Sequence, residues 1–450
     1  PINLGRLARW RAGDFAFCGN WNWRRMDSFF RIPNGGAWLG IKIEGHGPGT
    51  MWIDGIKLER GIPEGVILSA EINLKKEYTA ATLYKYISLG DYAGSVLRIG
   101  DLNGDGKPEF VTVQNKNLGR GNIYRMITCI TAIDLEGKVL WIKGEPDIEN
   151  FSVESDLPIQ VYDLDGDGRD EVICAMNFEI LVLDGETGEV KIRAPTPISE
   201  PGEGWGEGPE TKFSNIIGDS IIICNLQGLT RPQDFILKDR YNNMWAYDKN
   251  LRKLWHYTGK LAHFPKVYDL DGDGRDEVFT GDAMLDDDGE ILWRIDLYDH
   301  CDSILIGEID SQPGPDLIIA NSDGGFYWID ALTGRIKREW HLGHAQSVSL
   351  ANFREDIEGL EISAHTSWGG RYWFMFDRDG NMLQADFERI PGWVPVNWMG
   401  DGEELIASSH QLYDGFNRPV ITLPGSEGGN VWVYDVCGDL RDEVIVWNKY

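Results

Sequence analysis

DLDGDGRDEV runs from Asp163 to Val172 and recurs letter for letter from Asp269 to Val278; DLNGDGKPEF, from Asp101 to Phe110, is a third copy. Each places oxygen-bearing side chains at positions 1, 3, 5 and 9 of a glycine-turned loop. They are Asp101, Asn103, Asp105 and Glu109; Asp163, Asp165, Asp167 and Glu171; and Asp269, Asp271, Asp273 and Glu277. A hard cation such as Ca²⁺ requires such a spacing of oxygens. A helix follows this loop in an EF-hand. Here apolar, β-branched runs follow instead, at Phe110–Val113, Val172–Cys174 and Val278–Thr280. The chain therefore reads as an all-β repeat protein with calcium built into its turns.

Weaker copies start near Asn225, Glu308, Asn352, Asn397 and Asp435, with Gln312 and Cys437 standing where carboxylates belong. Calcium is expected at the three full loops only. Successive starts lie 38 to 62 residues apart, the period of a four-stranded blade. Between them come turns such as Leu183-Asp184-Gly185 and Asp377-Arg378-Asp379-Gly380. Strands carrying Trp141, Trp255, Trp293 or Trp340 follow, suited to pack between neighbouring sheets. No helical periodicity competes. The expected architecture is an eight-bladed β-propeller over 63–450, preceded by a partial, jelly-roll-like β-sandwich over 1–62. The last repeat stops at Tyr450 in mid-blade, so either residues 66–90 complete it or both ends are truncated.

With 72 acidic against 43 basic residues the net charge is −29, which argues against nucleic acid as a partner. No apolar run approaches the ~20 residues of a membrane span. Six cysteines lack metal-ligand spacing and imply no disulfide framework. The opening residues PINLGRLARW lack the apolar core of a signal peptide, and the chain begins inside a domain. Loops of this kind fill at extracellular calcium levels, so a secreted or periplasmic protein is expected.

The calcium loop joins the first strand of a blade to the second. In an antiparallel meander, the turns between second and third strands and the crossovers between blades therefore lie on the opposite face. His263, His300 and His344 fall in three consecutive crossovers, while His365 and His410 fall in second-to-third turns. Five of the eight histidines thus map to one face. Lys238, Arg240 and Tyr241 emerge there too, and two cations in an acidic protein suggest an anionic ligand. The competing reading is internal pairing with Asp239 or Asp282. Trp368, Tyr372 and Trp393 lie nearby and could stack on sugar rings or simply pack.

The runs DFILKDRYNNMWAYD, HFPKVYDLDGDGRDEVFTGDAMLDDDG, DHCDSILIGEIDSQPGPDLIIA and DVCGDLRDEVIVW resemble the rhamnogalacturonan lyases built on an eight-bladed calcium-binding propeller. The likeness spans roughly residues 90–450. The family's Gly-His-Gly-Asp-Ala crossover reads Asp299-His300-Cys301-Asp302-Ser303 here, and residues 1–62 do not match. The resemblance implies β-elimination at a galacturonate of an acidic, uronate-containing polysaccharide such as pectin. That chemistry needs the uronate carboxylate neutralised, a base for the C5 proton and an acid for the departing O4. Lys238 and Arg240, or a site-bound cation, offer neutralisation. His263, His300 and His344 offer base and acid, since imidazole titrates near working pH. His300 and His263 are the first choices, Tyr241 is an alternative donor, and Asp302 orients a histidine or binds a cation. His365, His410, Asp302, Asp282 and Trp368 are expected to contact substrate.

Two rivals stay open. A non-catalytic carbohydrate-binding or adhesion propeller uses calcium only for rigidity and has no need of titratable groups at consecutive crossovers. A glycoside hydrolase requires two carboxylates flanking a pocket, and Asp239, Asp282 and Asp302 lie on the right face.

Overall fold

The computed structural model describes residues 66–68, 76–119, 124–151, 156–202, 212–368, 371–387, 389, 391–426 and 428–449. The sandwich-like segment read at 1–62 lies outside them. The described chain is all-β, its helical content limited to the single 3₁₀ turns Gly90–Tyr92 and Ile148–Asn150.

Antiparallel meanders succeed one another along the described residues. The first comprises Val96–Gly100, Glu109–Asn117, Arg125–Ile133 and Val139–Gly144; the second, Ile159–Tyr162, Glu171–Met176, Glu179–Leu183 and Val190–Pro195. The third runs through Ser220–Cys224, Asp234–Lys238, Asn243–Asp248 and Lys253–Thr258, the fourth through Leu261–Tyr268, Glu277–Gly281, Ala283–Leu285 and Ile291–Arg294. The fifth holds Ser303–Gly307, Asp316–Asn321, Gly325–Asp330 and Ile336–Trp340; the sixth, His344–Ala351, Glu361–Ser367, Trp373–Phe376 and Met382–Asp386. Val394–Val396, Leu405–Ala407, Gln411–Tyr413 and Pro419–Thr422 make the seventh, and Asn430–Tyr434 pairs with Glu443–Trp447 in the eighth. One parallel pair, Ile127↔Met176, joins the first two meanders into a single sheet.

The second and third strands are buried on both faces, as in EVICAM, DFILK and NMWAYD, whereas the fourth alternates with solvent, as in VKIRAP. Sheets packed face to face demand this pattern. Accordingly the apolar clusters lie between neighbours: Val111 and Ile130 with Val172 and Leu181, Phe279 and Met284 with Leu317 and Tyr327, Phe326 and Trp328 with Phe374 and Phe376. First strands of successive sheets touch. Asn430 Nδ2 donates to Ser95 O at 3.3 Å, so the eighth sheet meets the first.

Three of the outer-strand tryptophans reach the next sheet. Trp141, Trp255 and Trp293 donate their indole N–H to Gly185 O, Asp287 O and Ala331 O at 2.6, 2.8 and 2.9 Å. Trp340 packs on Phe376 instead, with centroids 4.8 Å apart. Trp141→Phe removes one donor and part of the buried ring, so we expect a loss of about 1–3 kcal/mol in chemical denaturation, with an unchanged m-value. A loss near zero would mean that Gly185 O finds water instead.

The repeated loops are held by their own backbone. In each full copy the first aspartate accepts from the two glycine amides at positions 4 and 6, as Asp101 does from Gly104 and Gly106. Both glycines have positive φ there, 77° and 80°, a region costly for other residues. The glutamate at position 9 accepts from the amide at position 2 (Leu102, Leu164, Leu270), closing the loop onto its strand. The acidic residue at position 8, which carries no metal role in the spacing argument, latches onto the preceding sheet's loop. Asp170 accepts from Asp101 N, Asp276 from Asn225 N, Glu404 from Asn352 N and Asp442 from Asn397 N.

None of the described residues of 66–90 pairs with the last sheet. Ile67–Leu68 adds in parallel to Gln384 and Ala385 of the sixth, and Tyr78 and Ala81 pack into the cluster between the seventh and eighth. The eighth keeps two strands among the described residues.

Candidate active site

The starts of the fourth, fifth and sixth first strands lie side by side, which brings the crossover histidines together. The pairing Leu261↔Gly281, the bond from His263 N to Cys301 O (3.1 Å) and the bond from Ala345 N to Ser322 O (2.8 Å) fix them relative to one another. All three imidazoles face one carboxylate. Asp302 Oδ1 lies 3.2 Å from His263 Nε2 and 3.5 Å from His300 Nε2, and its Oδ2 lies 3.7 Å from His344 Nε2. Ser322 Oγ donates to the same Oδ2 at 2.6 Å. The far nitrogens of two rings are anchored as well: His300 Nδ1 on Asp299 and His344 Nδ1 on Asp323, each at 2.7 Å.

The two nearest histidines are pushed in opposite directions. Burial lowers His263 to about 4, opposed by its bond to Asp302 and reinforced by the Arg240 charge. Burial also works against protonation of His300, but its bonds to Asp299 and Asp302 outweigh it and raise the ring to about 9. Burial opposes ionisation of Asp302 too, yet His263 and His300 hold it well below the usual carboxylate range. At neutral pH the group is thus a neutral imidazole, an imidazolium and a carboxylate. The Nε2 contact of His263 assigns its proton to that nitrogen, leaving the buried Nδ1 lone pair without a partner.

Tyr241 caps this group, its ring 5.4 Å from His263 and 5.1 Å from His300. Arg240 lies over the same ring at 5.2 Å. Lys238 is fully enclosed, and its ammonium donates to Asp219 Oδ2 at 2.6 Å and to Arg240 O at 3.0 Å. Arg240 binds the other oxygen of Asp219 at 2.9 Å. Internal pairing is therefore real, but its anion is Asp219, not Asp239 or Asp282. Asp239 accepts from Asn242 N and Asn243 N at the turn, and Asp282 sits 3.9 Å from Arg294. Burial raises both of these carboxyls.

The remaining expected contacts stand apart. His365 is buried and lies against Trp393 at 5.9 Å, burial lowering its ring to about 4. His410 is on an exposed turn beside Gly428, and Trp368 is 74% exposed. No ion pair or hydrogen bond among the described residues joins these three to Asp302.

His263, His300 and Asp302 have donor atoms within 4.8 Å of one another, close enough to share one metal ion. Sequence reasoning did not single out Asp219, Asp299, Ser322 or Asp323. Of these only Asp299 carried a local signal, as the neighbour of His300.

Residues 234–449 match the C-terminal domain of rhamnogalacturonan lyase family 11. That span contains every residue of the Asp302 group. The chain is 25% identical over 448 residues to the rhamnogalacturonan exolyase YesX of Bacillus subtilis, covering 79% of this chain and 69% of that protein. It is 25% identical over 422 residues to the endolyase YesW of the same organism, covering 79% and 65%. The chain thus spans about two thirds of each relative's length. The crystal structures of YesX and YesW superpose with TM-scores of 0.60 and 0.59 at 22% and 21% identity, each match covering 78% of this chain and 69% of the other. That structural likeness is one of fold.

Proposed function

We propose that the chain is a polysaccharide lyase that cleaves a rhamnogalacturonan-like, uronate-containing polymer by β-elimination. The observation that carries this is the pair of histidines on one carboxylate, held neutral and charged side by side. Two titratable groups pushed apart in this way are suited to act as base and acid. The sequence match to two rhamnogalacturonan lyases supports the same reaction. An adhesion scaffold gains nothing from three histidines, one buried and two half-buried, around one aspartate. For a hydrolase, Asp239 is enclosed in its turn and unavailable to a substrate.

Neutral His263, its free lone pair on Nδ1, takes the C5 proton once the substrate displaces the side chains that bury that nitrogen, and the C5–H electron pair forms the C4=C5 double bond. The C4–O4 bond breaks, and the His300 imidazolium delivers its proton to O4. Asp302 holds both rings and stabilises the charge that moves from one to the other. Lys238 and Arg240 are committed to Asp219, so they act on the substrate carboxylate only through space. A divalent cation held by His263, His300 and Asp302 would supply direct neutralisation. In that second reading, favoured by the closeness of those donor atoms, His344 and Tyr241 carry the protons.

We read the meanders as the blades of an eight-bladed propeller whose calcium loops brace the face opposite the site. Calcium fits the loop at Asp269, where Asp269, Asp271 and Asp273 have oxygens within 4.8 Å of one another, and by its spacing the loop at Asp101. No ion pair among the described residues engages their ligands, and burial pushes Glu277 up to about 7, with Asp271, Asp286 and Asp269 adding repulsion that a cation would relieve. We place the protein outside the cytoplasm, where calcium is plentiful.

The test is the ultraviolet absorbance of the unsaturated uronate product on incubation with rhamnogalacturonan, before and after stripping metals. His263→Ala and His300→Ala should each lower turnover by roughly 10²–10⁴-fold, while His410→Ala leaves it near wild type. Full turnover in both crossover variants would remove the proposed site. A loss of turnover on metal stripping, restored by one divalent metal, would select the second reading.

A further inference from the structure

The Asp163 loop carries the same four carboxylates as the Asp269 loop, yet its surroundings differ in charge. Lys191 Nζ sits 2.6 Å from Asp165 Oδ2 and 2.8 Å from Glu171 Oε1, ligand positions 3 and 9. Arg231 engages Asp163 Oδ2, position 1, at 2.6 Å, and Arg169 engages Asp167, position 5, at 2.9 Å. Three basic side chains thus answer four carboxylates. At the Asp269 loop, no ion pair among the described residues reaches Asp269, Asp271, Asp273 or Glu277, and Arg275 turns away to Asp287.

The placement of Lys191 follows a rule of the fold. Where the third and fourth strands of a sheet pair, the register slips by one residue and leaves a bulged residue on the fourth strand. In the second sheet Val182 pairs with Ile192 and Leu183 with Val190, which bulges Lys191. In the fifth, Trp328 pairs with Arg338 and Ile329 with Ile336, which bulges Lys337. In the first and fourth sheets the same slips bulge Leu140 and Leu292. Lys337 does for its loop what Lys191 does: its ammonium lies 3.1 Å from Asp310 and 2.5 Å from Asp316, again positions 3 and 9. That loop departs from the calcium pattern: Gln312 replaces the carboxylate at position 5, and Ser311 and Pro313 replace the two glycines whose amides hold the first ligand. The lysine there takes the cation's place, bound to the carboxylates that would otherwise repel one another.

We infer that the Asp163 loop, despite its full set of ligands, is braced by the Lys191 ammonium and not by calcium. Calcium then belongs to the Asp101 and Asp269 loops. Entry of a dication at Asp163 would require expelling one ammonium and competing with a guanidinium for the first ligand, both absent at Asp269. The inference rests on calcium filling the other two loops.

The experiment is calcium stoichiometry of the full chain by native mass spectrometry, supported by competition titration against a chromogenic chelator. Asp167→Ala is expected to leave the calcium count of the wild type unchanged, whereas Asp273→Ala, its equivalent in the fourth sheet, removes one ion. Lys191→Leu, which installs the residue found at the calcium-loop bulges, is expected to add one ion, and Asp167→Ala in that background to remove it again. A calcium lost from wild type through Asp167→Ala, or none gained through Lys191→Leu, overturns the inference. If Lys191→Leu does not fold, the exposed Asp167→Ala variant decides alone. No loss through Asp273→Ala would instead count against calcium at the fourth sheet, a separate result.

Discussion

Asp302→Asn is expected to lower turnover by roughly 10²–10⁴-fold and to move the alkaline limit of whatever activity remains toward neutral pH. The amide cannot hold two imidazoles in one protonation pattern. His300 loses one of the two carboxylates that raise it to about 9, and burial then pulls it down. Wild-type kcat/KM should be flat between about 4, where His263 protonates, and about 9, where His300 loses its proton. Stability follows with its own sign. The His300 ring is raised, so its contribution is complete below its ordinary value of 6.5 and is lost as pH rises through about 9. The Asp302 carboxyl is lowered, so its contribution is present above the ordinary value of 3.8 and is lost as pH falls toward its folded value. A pH–rate profile of Asp302→Asn that overlays the wild type's alkaline limb would rule out the acid role of His300.

Asp219→Asn should be the most destabilising polar substitution near the site, by roughly 3–5 kcal/mol, because it strands two buried cations. Burial resists its ionisation, but Lys238 and Arg240 hold Asp219 below the usual carboxylate range. Lys238→Met leaves a balanced Asp219–Arg240 pair and should cost distinctly less. Denaturant midpoints of the two variants test this, and equal losses would mean that the lysine itself carries the structure. The contrast also separates scaffolding from chemistry. If Lys238 acted directly on substrate, Lys238→Met would lose turnover at full stability.

The arrangement of strands was legible because the loops repeat with glycines that the backbone needs, and their period is a length the chain can use in only a few ways. The convergence of His263, His300 and His344 was legible for the same reason, since crossovers in consecutive repeats fall at equivalent places. What the repeats could not reveal is which carboxylate each polar group would choose. Asp219 and Asp323 are single acids among 72 in the chain, and their partners are 19 and 21 residues away. Lys191 was invisible as a ligand for a related reason: only the strand slip that bulges it aims it at its own loop. His410 was placed on the right kind of turn, but His365 lies inside the second strand Glu361–Ser367 and not in the turn expected of it, and it found Trp393 instead.

The latches between neighbouring loops tie the first sheet to the second, the third to the fourth, the sixth to the seventh and the seventh to the eighth. No such latch among the described residues ties the fifth sheet to either neighbour, because Pro315 stands at position 8 of its own loop and Gly359 at position 8 of the sixth. The fifth sheet is the one that carries Asp302, and Asp302 reaches back to His263 and forward to His344. Asp302 is therefore a further polar tie across two seams that have no loop latch. Whatever presses on those histidines acts where the fourth, fifth and sixth sheets are joined through Asp302, Trp293 and backbone bonds such as His263 N to Cys301 O, and not through loop latches.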